Sequence, residues 1–225
     1  DSTIDANGGV VTPGFVDSHT HAVFAGDRSK DYVARMSGQK YATGGIKTTV
    51  AATRTATEDD LIAHTKDLLR KCQSHGTTTI EIKSGYGLDV DTELKILKVA
   101  KTFTDETTFL GAHVIPAEFE NNREGYIQLV KNEMLDVVTP YAKWIDVFCD
   151  NGAFSVDEAR EILQSGIAKG LKGRIHGNQL GDTGGAELAI EMNLASIDHA
   201  THVSNETIAA LAESNVVTTF LPGAE

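Results

Sequence analysis

The sequence predicts an α/β fold of the TIM-like (β/α)8 barrel kind, and three observations carry that prediction. From Gly14 onward short apolar runs alternate with helical patterns, and such alternation builds parallel βαβ units. Several of the runs end in histidine, as in barrels whose sites gather at the C-terminal ends of the strands. No Gly-x-Gly-x-x-Gly follows the first run, which weighs against the alternative parallel fold, a doubly wound open sheet.

Residues 1–13 are polar and turn-rich and read as the exit from a preceding element, with a single domain occupying 14–225. Val11-Thr12-Pro13-Gly14 is a turn signal, and Phe15-Val16 opens the first strand. Strands are expected near 14–19, 78–83, 108–113, 144–149, 173–176, 195–198 and 216–221. Helices are expected over 58–74, 91–103, 123–138, 156–169, 184–192 and 205–214. Leu61, Ile62, Thr65, Leu68, Leu69 and Cys72 recur at helical spacing and give the first helix a face for the sheet. Ser155-Val156-Asp157-Glu158 is a capping box, and Gly170 closes the helix it opens. Seven strands are visible where a closed barrel has eight, so the chain reads as part of a longer one that lacks its last strand. Between His21 and Glu58 the connection far exceeds the ~2–6 residues usual for βα loops. It carries Gly26-Asp27-Arg28, Arg35 and a Gly44-Gly45 turn, and reads as a lid or binding loop.

Composition narrows the function. A formal net charge of −12 argues against nucleic acid or an anionic membrane surface as partner. A small anionic substrate stays open, since one local arginine outweighs a diffuse field. No apolar run reaches the ~18 residues of a membrane span, and the first residues lack the pattern of a signal peptide. Two cysteines, Cys72 and Cys149, make no disulfide framework, which fits a reducing cytoplasm.

The candidate chemistry starts at Val16-Asp17-Ser18-His19-Thr20-His21. On a strand, residues i and i+2 share a face, so His19 and His21 can offer two imidazoles to one metal ion. Two histidines on one strand are as often ordinary surface or core residues, but the apolar approach and polar end favour ligation. His176 ends the fifth strand and would be a third ligand. His199 ends the sixth and could bind a second metal or orient substrate or water. His202 reads as a loop histidine. His113 ends the third strand, where a protonated or donor imidazole could stabilise a developing oxyanion. Tyr86 sits between glycines in Lys83-Ser84-Gly85-Tyr86-Gly87, Arg28 suits a carboxylate, and Gln179 could hydrogen-bond a ring nitrogen or carbonyl. Each of these three has a bland counterpart as packed aromatic, solvated arginine or surface amide. Cys149 reads as a buried strand cysteine, and the acidic residues at 58–60 and 118–124 as helix starts and solvated faces.

Val11-Thr12-Pro13-Gly14-Phe15-Val16-Asp17-Ser18-His19-Thr20-His21, with later histidines closing the fifth and sixth strands, resembles the amidohydrolase superfamily of metal-dependent hydrolases. Phe24-Ala25-Gly26-Asp27-Arg28, Thr53-Arg54, Glu81-Ile82-Lys83-Ser84-Gly85-Tyr86-Gly87-Leu88, Thr108-Phe109-Leu110-Gly111-Ala112-His113, Asp146-Val147-Phe148-Cys149, Gly184-Gly185-Ala186-Glu187-Leu188-Ala189 and Leu221-Pro222-Gly223-Ala224 resemble its imidazolonepropionase family. That resemblance implies a barrel flanked by a small β-sandwich, with residues 1–13 leaving the sandwich. It implies one Zn2+ or Fe3+ per subunit on His19, His21 and His176. Arg28, Tyr86, His113 and Gln179 would meet the substrate, with His113, His199 and Gln179 serving catalysis. The implied reaction is hydrolytic opening of 4-imidazolone-5-propanoate, a small anionic heterocycle, to N-formimidoyl-L-glutamate in histidine degradation; homodimers are common among such barrels. Two departures stand out: the superfamily's aspartate after the eighth strand lies beyond this chain, and Gln179 stands where some members carry glutamate. Rival readings are another cyclic amide hydrolase or aminohydrolase of the superfamily, and a metal-free binding or scaffold homologue. A two-metal hydrolase would need a carbamylated lysine, and Lys83 is on the wrong strand for one.

Overall fold

The computed structural model describes residues 3–29, 33, 36–38 and 44–222; Arg35 lies outside them. In chain order the elements are β1 (Phe15–Asp17), α1 (Gly44–Thr55), α2 (Glu58–Ser74), β2 (Thr77–Ile80), β3 (Ile82–Lys83), α3 (Val90–Lys101) and β4 (Thr107–Ala112). Next come α4 (Arg123–Leu129), a π turn (Val130–Met134), α5 (Leu135–Val138), β5 (Trp144–Cys149) and α6 (Val156–Ala168). The described part closes with β6 (Lys172–Gly173), β7 (Ile175–Gly177), α7 (Gly185–Glu191), β8 (Ser196–His199), α8 (Asn205–Glu213) and β9 (Val217–Thr219).

Every strand pair among the described residues is parallel, in the order β1-β2, then β3-β4-β5-β7-β8-β9, with β6 beside β5. β2 and β3 are one strand interrupted at Glu81, whose N–H still donates to Asp17 O at 2.8 Å. β6 and β7 are likewise one strand interrupted at Arg174, whose N–H donates to Ile145 O at 2.8 Å. The result is a curled parallel sheet with helices along its outside. At its two edges β1 and β9 flank a groove of about 460 Å³ lined by Phe15, Val16, Thr77, Thr219 and Phe220. Phe15, Val16, Val217 and Phe220 are exposed there.

Most expected elements are present, and the differences have physical reasons. The first strand stops at Asp17 rather than running to residue 19. The connection after His21 is no plain loop, because Gly44-Gly45 opens helix α1 instead of making a turn. Ile46, Thr49, Val50 and Thr53 are its buried stripe, at helical spacing. Lys95 Nζ caps its end by donating to Thr53 O at 3.2 Å, Arg54 O at 3.3 Å and Ala56 O at 2.7 Å. The helix expected over 123–138 is interrupted by the π turn. Its buried residues Tyr126, Val130, Met134 and Val138 are spaced by four. That spacing overshoots an α turn of 3.6 residues, and one wider turn returns the stripe to the sheet.

Caps set the helix starts. Thr57 and Asp60 form a capping box for α2, and Ser155 and Glu158 form the expected one for α6. Gly170, at φ +92°, donates to Ile167 O and ends α6. Phe109, Ile145, Val147 and Phe148 from the sheet pack with Leu97, Tyr126, Met134, Ile162 and Leu163 from the helices. A smaller cluster of Val23, Leu61, Ile82, Ile96 and Val99 anchors α2 and α3.

Candidate metal centre

The strand ends deliver their histidines to one place. Because β1 has already ended, no pleat holds His19 and His21. The intervening Thr20 does so: its N–H reaches Glu81 Oε2 at 3.2 Å, its Oγ1–H donates to Glu81 O at 2.6 Å, and its carbonyl accepts Lys83 N–H at 2.8 Å. The His19 and His21 ring centroids lie 5.5 Å apart. His176, in the middle of β7, brings its ring to 4.6 Å from His19 and 5.8 Å from His21. His199 ends β8 at 5.3 Å from His19 and 5.2 Å from His176. His199 also carries φ +79°, a left-handed backbone that costs on the order of 1–3 kcal/mol and is concentrated at functional sites.

One set of donor atoms comes from His19, His176 and His199, all within 4.8 Å of one another. His21 stands beside that set. Its Nδ1 approaches Ser84 O at 3.3 Å; a carbonyl only accepts, so Nδ1 carries the proton and Nε2 keeps its lone pair. Asp198 Oδ2 does the same for His19 through Nδ1 at 2.7 Å.

His176 is the most telling ring. It is buried, its Nδ1 lies 2.9 Å from Asp146 Oδ2 but off hydrogen-bond alignment, and both ring nitrogens lack a hydrogen-bond partner. Orphaned buried nitrogens are costly; a cation would satisfy the lone-pair nitrogen, and Asp146 Oδ2, 2.9 Å from Nδ1, is the nearest acceptor for the other. Electrostatics agree. Burial lowers the His19 pKa to about 4, takes His21 well below the ordinary value and depresses His176, leaving the rings neutral at pH 7. Below them the pKa values of Asp146 and Asp198 are kept low despite burial: the Lys83 ammonium stands 2.9 and 3.1 Å from them, and His19 Nδ1–H donates to Asp198. The donor set therefore fits a cation.

Of the remaining expected residues, Tyr86 and Arg28 line a cavity that reaches His21. Tyr86 lies 5.2 Å from His21 and 5.5 Å from His113, ring to ring. The cavity, of about 360 Å³, is lined by His21, Phe24, Asp27, Arg28, Thr49, His64 and Tyr86. Gln179 sits just past β7, where its N–H donates to Asp150 Oδ2 at 2.7 Å. His202 is exposed on its loop, as expected. Cys149 is buried with its thiol pushed up to about 12 by burial, in keeping with a structural cysteine.

His113 lies with its ring stacked against His21 at 5.2 Å between centroids. Its Nδ1 lies 2.9 Å from Gly85 O, so the proton is on Nδ1 and Nε2 offers a lone pair. Burial also lowers its pKa to about 4. The ring is an acceptor until it takes up a proton.

Sequence reading missed the buried charges beneath the histidines: Glu81, Lys83, Asp146 and Asp198, each at most 3% exposed. Their signal was a charged residue inside an apolar strand, as in Trp144-Ile145-Asp146-Val147-Phe148 and Ser196-Ile197-Asp198. It also missed Glu93, whose buried carboxylate accepts the N–H groups of Gly85, Gly87 and Leu88 at 2.8–3.2 Å and shapes the Tyr86 loop.

Comparison with known proteins bears on the sequence and the fold. A profile of the amidohydrolase family matches residues 2–59. The whole chain is 56% identical to an imidazolonepropionase of Mycolicibacterium smegmatis, covering 57% of that protein, and 52% identical to one of Streptomyces avermitilis, covering 54%. The chain thus spans a little over half the length of these curated relatives. Among solved structures, guanine deaminase from C. acetobutylicum superposes on 93% of the chain with TM-score 0.61 at 13% identity, covering 54% of that protein. An amidohydrolase superposes on 96% of the chain with TM-score 0.56 at 13% identity, covering 56% of that protein. At such identities these two speak for the fold alone. By sequence, the chain is similar over its whole length to imidazolonepropionases, and over its first residues to the amidohydrolase family.

Proposed function

We propose that this chain forms the metal-binding part of an enzyme that hydrolyses 4-imidazolone-5-propanoate to N-formimidoyl-L-glutamate. The observation that carries the reading is the orphaned His176 ring at the centre of neutral histidines, beside a cavity lined by Arg28. His19, His21 and His176 would hold one zinc or iron ion. His199, within the same cluster, would orient the attacking water. When bound, the ion supplies Lewis acidity that brings the pKa of a water toward ~7.

The chain's own groups do the rest. Arg28 grips the propionate tail, and Tyr86 and Gln179 hold the ring, which fixes the ring carbonyl over the histidines. His113, an acceptor at rest, takes the proton released as water oxygen bonds to the carbonyl carbon; as imidazolium it then faces the negative charge on the carbonyl oxygen. When the ring C–N bond breaks, that proton passes to the leaving nitrogen. One water is consumed and no other reactant is needed.

The groove between β1 and β9 is the place for a further strand, which would complete a (β/α)8 barrel and cover the exposed Phe15, Val16 and Phe220. Among the described residues no helix is long and apolar enough to cross a membrane. Cysteine usage suits a cytoplasmic setting, and a homodimer is the expected assembly.

The test follows the ultraviolet absorbance of 4-imidazolone-5-propanoate with the full-length protein before and after chelation. Turnover that disappears with the metal and returns with zinc or iron is the expected result. Bound metal without turnover would redirect the search to other small cyclic amides, and protein purified without chelator yet free of metal would favour a binding or scaffold role.

A further inference from the structure

Beneath the histidines lies a cation that the protein makes itself. Lys83 is wholly buried, and an ammonium has three N–H donors. Three carboxylate oxygens surround its Nζ: Asp146 Oδ2 at 2.9 Å, Glu81 Oε1 at 3.1 Å and Asp198 Oδ2 at 3.1 Å. Two of those oxygens are shared with the histidines, since Asp198 Oδ2 also takes His19 Nδ1 at 2.7 Å and Asp146 Oδ2 lies 2.9 Å from His176 Nδ1.

Asp146, His176 and Asp198 each bring a donor atom within 4.8 Å of the others. Two carboxylates and an imidazole at that spacing are a sound donor set for a divalent ion. Here the ammonium stands among the two carboxylates. Two buried carboxylates this close repel each other, and they stay ionised only beside positive charge.

We propose that Lys83 is the built-in second cation of this site: its ammonium occupies the Asp146–Asp198 acceptors, limits the centre to one metal ion and holds the carboxylate that aims His19 and the one that stands beside His176. The inference rests on the reading that the histidines bind one ion. It also explains how a site can keep acidic groups against its histidines without recruiting a second metal. The charge is supplied by a side chain that cannot diffuse away.

The experiment counts zinc in the full-length protein after saturation and gel filtration, and follows thermal unfolding. The parent should retain one equivalent. Lys83→Ala, which opens the space, should retain a second, and ethylammonium should compete it away. Lys83→Met fills the space without charge and should unfold at lower temperature, with no rescue by ethylammonium. If Lys83→Ala folds only with zinc or ethylammonium present, the inference stands. An unchanged zinc count in Lys83→Ala, a Lys83→Met as stable as the parent, or a Lys83→Ala that neither cation can refold would each overturn it. A parent that holds no zinc instead sinks the metal-centre reading itself.

Discussion

Four of the rings at this site are distinguished by what stands behind them. His19 has a carboxylate on Nδ1, His21 and His113 have carbonyls, and His176 has no aligned partner. The first three contacts fix the tautomer and present Nε2 as a lone pair. A ring that ligates can thus be told from one that supports by metal content. In the full-length protein, His21→Ala and His176→Ala should each lower bound metal by ~10-fold or more at limiting concentration, whereas His199→Ala should keep the metal and lose turnover. Elemental analysis settles it; metal loss from His199→Ala with retention in His21→Ala would hand the third ligand position to His199, which the donor spacing already allows. At this scale residue types were legible in the sequence, because histidines recurring at the ends of successive apolar runs point to one place, although any one of them alone reads as an ordinary core residue. The buried partners were not, because a lone Asp or Lys in a strand does not say which charge it will meet.

Among the elements, the loop from β3 to α3 is the most constrained. Glu93 gathers its N–H groups from within, and Arg54 at the end of α1 donates to Gly87 O at 2.7 Å, Leu88 O at 3.2 Å and Glu118 Oε1 at 2.7 Å. Gly85, at φ +105°, has no room for a side chain: an added Cβ would meet Leu110 O at 2.9 Å and His113 Nδ1 at 3.0 Å. Gly85→Ala should therefore cost about 1–3 kcal/mol through backbone strain and displace His113. The check is urea unfolding together with KM, which should rise; unchanged stability and KM would mean that the loop tolerates the change. The glycines flanking Tyr86 announced a close backbone approach in the sequence. Helix α1 went unread, although Ile46, Thr49, Val50 and Thr53 have helical spacing, because the Gly44-Gly45 pair looks locally like a turn. Its docking depends on Lys95 and Asp89, some forty residues away in sequence.

For the whole molecule, the buried histidines predict an acid response. His19 and His113 sit at about 4 in the folded protein against ~6.5 in an unfolded chain. Between those values the unfolded state binds more protons, so stability rises with pH through this window and is fully present only above ~6.5. Metal-stripped full-length protein should lose about 3 kcal/mol per ring on going from neutral pH to pH ~4. Urea unfolding at a series of pH values measures it, and a flat profile would show that the rings are solvated when the metal is absent. Saturating metal should raise stability at neutral pH and extend the acid loss below pH ~4, since protons must then compete with the ion for the rings.

By itself the sequence determined the alternation of strand and helix, the caps of α6, and the histidines that end the strands. Each of these depends on residues within a turn or two of one another, where periodicity and hydrogen-bond reach are local properties. Only the tertiary structure decided which histidine nitrogens face the site, that His113 is an acceptor at rest, and that Lys83 stands against Asp146 and Asp198. Those outcomes depend on burial and on partners contributed by different strands of a curled sheet. Desolvation and long-range pairing, which set the charge and direction of each group, have no value until the chain has closed around them.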